Sequence, residues 1–120
     1  MKIAVTTEGN TLDSAIDKRF GRSKKFIVYN TETKEFVVKD NTQNLNAMQG
    51  AGIQTGQNVV ETGAEAVITN NCGPKAFTVL SQAGVSVYNT DAETVQEALD
   101  MFKEGELKKA DAANVGGHWV

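Results

Sequence analysis

Between Glu65 and Tyr88 the chain spells out one supersecondary unit, and no other stretch constrains the fold as much. Glu65 to Thr69 is a short apolar run with β-branched residues, Asn70 to Gly73 is a polar turn, and Pro74 occupies the first position of a helix running to Ala83. Ala76, Phe77, Leu80 and Ala83 share one face of that helix, Gly84 stops it, and Val85 to Tyr88 resumes a strand. A strand, helix and strand this close together form a right-handed crossover between parallel strands. Parallel strands are buried on both faces, so helices must cover the sheet.

The remaining elements are built around that unit. Met1 to Thr6 reads as a buried strand and residues 7–23 as a long connection containing Phe20-Gly21-Arg22-Ser23. Lys25 to Asn30 and Glu35 to Asp40 form an antiparallel hairpin about the turn Thr31-Glu32-Thr33-Lys34. Asn41 to Asn46 is a polar loop. Ala47 to Thr62 has apolar residues at helical spacing, with Gly63 as its stop. Gly50, Gly52 and Gly56 each cost about 1 kcal/mol in an exposed helix, so they serve close packing or backbone approach to a ligand. Thr90-Asp91-Ala92-Glu93 is a capping-box pattern before the stripe Val95, Ala98, Leu99 and Phe102, and Gly105 ends that last helix. The order predicts an α/β domain with a five-stranded mixed sheet covered by helices. Residues 1–110 form the domain and residues 111–120 a loosely held tail.

With 120 residues there is room for one domain with a real core. A formal charge of −3 argues against general nucleic-acid binding. The single Cys72, the lack of a signal-like N-terminal segment and the lack of an apolar span of bilayer length point to a cytoplasmic protein without membrane attachment. Charge is nevertheless polarised. Lys18, Arg19, Arg22, Lys24 and Lys25 place five of the twelve basic residues in an acid-free stretch, while residues 91–111 carry seven acids against three lysines. A solvated surface run and an anion site both fit that patch.

Cys72 lies at a strand end, before a helix whose unpaired N–H groups and dipole attract anions and lower a thiol pKa. A reactive or metal-ligating thiolate is one reading; a small buried hydrophobe is the other. One Cys and one His cannot build a structural zinc site or a cluster held by cysteines alone, so any metal must arrive with ligands of its own. His118, in Gly116-Gly117-His118-Trp119, is either an imidazole that swings onto such a guest or a solvated tail side chain. The spacing Gly50-x-Gly52-x-x-x-Gly56 misses the dinucleotide fingerprint by one residue and does not directly follow a strand. Asp13 and Asp17 have no carboxylate on the first strand to join them in a two-metal site.

Seven motifs in order resemble the dinitrogenase iron–molybdenum cofactor biosynthesis family: Lys2-Ile3-Ala4-Val5, Phe20-Gly21-Arg22, Gly50-Ala51-Gly52-Ile53, Gly63-Ala64-Glu65-Ala66-Val67-Ile68, Asn71-Cys72-Gly73-Pro74-Lys75-Ala76, Gly84-Val85-x-Val87-Tyr88 and Gly105-Glu106-Leu107. The resemblance implies a ribonuclease-H-like three-layer fold, with a five-stranded mixed sheet and helices on both faces. It also implies a non-enzymatic carrier of an iron–sulfur or iron–molybdenum-type cluster, of the kind found in nitrogenase cofactor assembly or in anaerobes. Cluster donor or acceptor proteins would be its partners. A preformed anionic cluster needs only cations, N–H groups and one thiolate or imidazole from the protein. Carried onto this sequence, the cluster-binding residues are Arg19, Arg22, Asn71, Cys72, Gly73 and Lys75, with Cys72 and His118 as direct metal ligands. The alternatives are an enzyme using Cys72 for sulfur or acyl transfer and a regulatory module docking a partner on the Gly50 to Gly56 face.

Overall fold

Alternation and apolar runs in the sequence become a single six-stranded sheet in the computed structural model, which describes residues 1–41 and 51–113. The elements are β1 (Lys2–Thr7), β2 (Lys25–Asn30), β3 (Phe36–Asp40), α1 (Ala51–Glu61), β4 (Ala66–Thr69), α2 (Pro74–Gln82), β5 (Ser86–Asn89), α3 (Val95–Lys103) and β6 (Lys108–Lys109). The strand order is β3-β2-β1-β4-β5-β6. Strands β1, β4 and β5 run parallel, with Val5 beside Ile68 and Ile68 beside Tyr88. The hairpin β2–β3 adds antiparallel to β1, Thr7 facing Lys25 and Lys25 facing Asp40.

Alternate residues of the central strands feed two cores. Ala4, Val28, Val67 and Val87 point to the face covered by α1 and α2, through Val59, Ala76 and Leu80. Ile3, Val5, Ile27 and Ile68 point to the opposite face, covered by α3 through Val95, Ala98 and Leu99. Each of the buried Val, Leu and Ile side chains among these contributes on the order of 1.5 to 3 kcal/mol by leaving water, which is what holds the helices on the sheet. Gly56 sets how closely α1 meets α2. A Cβ there would lie 3.0 Å from Val79 Cγ1, so the glycine serves helix-to-helix contact.

Two expectations change, and a third falls on residues the structure does not describe. The sheet has a sixth strand, because the segment after Gly105 returns along β5 and pairs Lys108 with Asn89 and Lys109 with Tyr88. Two residues carry no periodicity, so nothing in composition marks such a strand. The cap of α3 is Thr94, whose hydroxyl accepts from the Glu97 amide at 3.1 Å, four residues past the expected position. Thr94-Val95-Gln96-Glu97 repeats the same pattern, while Thr90 accepts from the Ala92 amide in a turn of its own. The first helix is seen from Ala51 to Glu61, and its expected start at Ala47, like Gly50, lies outside the described residues.

Candidate functional site: a cationic loop against the carboxyl ends of the parallel strands

Because β1, β4 and β5 are parallel, Thr7, Thr69 and Asn89 all finish at one edge, and the antiparallel hairpin adds Lys25 and Asp40 to it. Ligands of open α/β sheets bind at such an edge. The long connection after β1 folds along it under side-chain control. Thr6 donates its hydroxyl to the Asp17 carbonyl at 2.8 Å and pairs with the Thr69 hydroxyl at 2.9 Å, and Thr7 donates to the Ala15 carbonyl at 2.9 Å. Ile16 and Phe20 are buried on opposite faces of the sheet, so the connection is nailed down on both sides.

Between those anchors the loop meets the turn after β4. Asn71 donates its amide to the Lys18 carbonyl at 2.8 Å and accepts from the Phe20 amide at 3.0 Å, a one-residue parallel bridge that sets Arg19 beside Asn71. Arg19 is thereby joined to Asn71-Cys72-Gly73 and to the first turn of α2, which holds Lys75. Gly73 is the N-cap of α2 in extended conformation, with no side chain capping the helix and Pro74 in its first turn. Lys18, Arg19, Lys24 and Lys75 are exposed, and among the described residues none of them is held in an ion pair. Positive charge from the loop and the helix start therefore collects at one end of an acidic protein.

A second set of contacts shapes the loop around Arg22, which is half-buried. Asn41, fully buried at the end of β3, donates to the Ser23 carbonyl and to the Thr55 hydroxyl, both at 2.9 Å, and accepts from Asn58 at 3.0 Å. Thr55 donates in turn to the Gly21 carbonyl at 3.2 Å. Asp17 closes the other side, its carboxylate oxygens accepting from the Arg19 and Lys24 amides, each at 3.3 Å. Partial burial holds the Asp17 carboxyl above its ordinary 3.8, and the two amide bonds pull the other way. Sequence reasoning missed Asn41, Thr55 and Asp17 as the framework of the loop. The signal for Thr55 was its place in the stripe Ala51, Thr55, Val59, where a hydroxyl on a buried face needs a partner.

Cys72 differs from the expectation of an activated thiolate. Its side chain is 1% exposed, in the same buried cluster as Phe20, Ala76 and Leu80, and its sulfur lies 3.7 Å from the Gly73 carbonyl. Burial pushes the thiol up to about 12, overriding the attraction of the helix start. His118 lies outside the described residues. Among those described, no group of three His, Cys, Asp or Glu side chains comes together to hold a metal ion. No helix among them is long and apolar enough to cross a membrane.

Residues 1–105 match the family described as dinitrogenase iron-molybdenum cofactor. The chain belongs to that family. Within reach of this dinitrogenase cofactor family protein in sequence is an uncharacterized protein of Methanocaldococcus jannaschii, 34% identical over 91% of each chain. Among solved structures, the apo form of the orange protein from Desulfovibrio gigas superposes with a TM-score of 0.92 at 36% identity, covering 95% of this chain and 96% of that one. A NifB-like protein from Thermotoga, solved by NMR, superposes with a TM-score of 0.80 at 39% identity, covering 90% and 91%.

Proposed function

We propose that this protein binds a preformed, anionic metal–sulfur cluster non-covalently at the carboxyl edge of its sheet and carries it between donor and acceptor proteins. The observation that carries the reading is the bridge between Arg19 and Asn71, which joins the cationic loop to the start of α2. A cluster that brings its own sulfides asks for distributed positive charge and N–H donors, and this edge offers Arg19, Arg22, Lys24 and Lys75 with the first amides of α2. A bare cation would find no cage of carboxylates, thiolates and imidazoles among the described residues. Membership of the dinitrogenase cofactor family and the likeness to the orange protein support an iron–sulfur or molybdenum-containing guest.

In this reading the residues divide the work. Arg19 and Arg22 present planar donors to sulfide or to a cluster's terminal ligand, Lys75 adds a point charge, and Asn71 and Gly73 fix the turn. Cys72 anchors that turn from beneath. Its protonated, covered thiol favours packing over ligation and over sulfur or acyl transfer, both of which need a thiolate. Non-enzymatic carriage is accordingly the function proposed.

The test is anaerobic titration of the full chain with synthetic iron–sulfur and molybdenum–sulfide anions, followed by visible absorption, metal and sulfide analysis after desalting. Retention of a stoichiometric coloured cluster, weakened by added salt and by loss of Arg19, is expected. A chain that stays colourless with every cluster offered overturns the reading.

A further inference from the structure

The hairpin strand β3 ends the sheet opposite β6, and among the described residues it pairs only with β2. Its register fixes which backbone groups look outward. The Asn30 amide donates to the Glu35 carbonyl at 2.9 Å and the Asn41 amide to the Lys24 carbonyl at 2.8 Å, so residues 35, 37, 39 and 41 bond inward to β2. The alternation of an antiparallel ladder then turns the N–H and C=O groups of Phe36 and Val38 away from the sheet. Two apolar side chains accompany this open ladder: Phe36 is 36% and Val37 53% exposed. Val37 lies on the α1 side of the strand, beside Val28, where a groove of about 390 Å³ is lined by Val28, Val37, Glu61 and Thr62.

We propose that β3 pairs antiparallel with the β3 of a second copy of this chain, about a dyad through Val37, to join two sheets into one. The choice of occupant comes from the strand's own charge pattern. With the dyad at Val37, Glu35 faces the partner's Lys39, Lys39 faces the partner's Glu35, Phe36 faces the partner's Val38, and Val37 meets its own copy. Moving the dyad to Val38 sets Val37 against Lys39 and Phe36 against Asp40, and moving it to Phe36 sets Glu35 against Val37. Only the Val37 dyad matches opposite charges and apolar pairs together.

Hydrogen-bond phase agrees independently. Val37 bonds inward, so Val37 against Val37 is a non-hydrogen-bonded pair, the position where facing side chains come closest. Phe36 and the partner's Val38 then exchange both of their outward backbone bonds, and the dyad repeats the exchange. Such a dyad stands perpendicular to the sheet. It keeps both α1 helices on one face and brings the two Val37 side chains together at the mouths of the two grooves. It also leaves the two carboxyl edges at opposite ends of the joined sheet, so this pairing does not depend on cluster binding.

Sedimentation velocity of the full chain over a wide concentration range tests it. A reversible monomer–dimer equilibrium is expected for the unaltered protein, and E35K or K39E weakens the dimer by about tenfold or more, since each turns two attractive cross-strand pairs into repulsive ones. The double variant E35K/K39E restores dimerisation because the charges trade places across the dyad, and V37K abolishes it. Far-ultraviolet circular dichroism checks that each variant remains folded, as expected at exposed positions. A protein that stays monomeric throughout, or a double variant that dimerises no better than the single ones, overturns the proposal.

Discussion

Arg19 stands beside Asn71 although 51 residues separate them in the chain, because the amides and carbonyls on either side lock the two backbones together at 2.8 and 3.0 Å. The bridge uses main-chain atoms, so it holds the arginine's position without occupying its side chain. Charge is delivered to the strand ends while the guanidinium stays available to solvent.

Arg19→Ala therefore separates binding from folding. Removing an exposed charge-assisted donor is expected to weaken binding of an anionic cluster by about 1.5 to 3 kcal/mol while leaving the melting temperature nearly unchanged. Cluster titrations and thermal melts of the two proteins, side by side, check both halves.

Asn41 is expected to behave in the opposite way. Its amide joins β3, the loop at Ser23 and helix α1 at Thr55, so Asn41→Ala leaves buried partners unmatched and lowers stability by about 1 to 3 kcal/mol. Urea unfolding measures the loss, and faster amide exchange at residues 20–24 shows that the loop loosens with it.

The Cys72 thiol, held up to about 12, leaves about one part in ten thousand as thiolate at pH 8, and its burial blocks access as well. Alkylation of the native protein is expected to be slow at neutral pH. An unfolded chain loses this proton near 9.0, so the folded state binds more protons between 9.0 and about 12. Stability from this group is full below 9.0 and is lost as pH rises through that window, a loss absent from Cys72→Ala. Unfolding curves of both proteins in alkali test the sign.

Asp17 gives the corresponding effect in acid. Its folded value lies above 3.8, so the folded state holds the proton longer, and the stability contributed by protonation is present below 3.8 and disappears as pH rises past the folded value. The stability of the unaltered protein relative to Asp17→Asn is expected to fall as pH rises through this range. A flat difference between the two melting curves across the acid range would contradict it.

Much of this molecule is legible in local sequence. Pro74 and Gly84 bracket α2, the apolar runs mark the parallel strands, and residues 31–34 turn the hairpin, because each depends on backbone preference or periodicity within a few residues. The acid-free stretch from Lys18 to Lys25 was likewise visible as an anion-binding candidate. Local pattern misled at Thr90, where a capping signal recurs four residues later at Thr94; the helix starts at the second, where the Val95 and Gln96 amides bond the Ser14 and Leu12 carbonyls of a distant loop.

What tertiary structure alone decided is where the charge goes and what the thiol becomes. Nothing near Arg19 in sequence announces Asn71, and nothing near Asn41 announces Thr55; these pairings exist because parallel strands finish together and draw distant loops to one edge. Cys72 carried a sequence argument for a low pKa, from the helix that starts after it, yet the core closing around Phe20 and Leu80 removed the water a thiolate needs. A helix dipole is a local property that composition reveals, whereas desolvation depends on every neighbour the fold brings in, and at Cys72 the second outweighs the first.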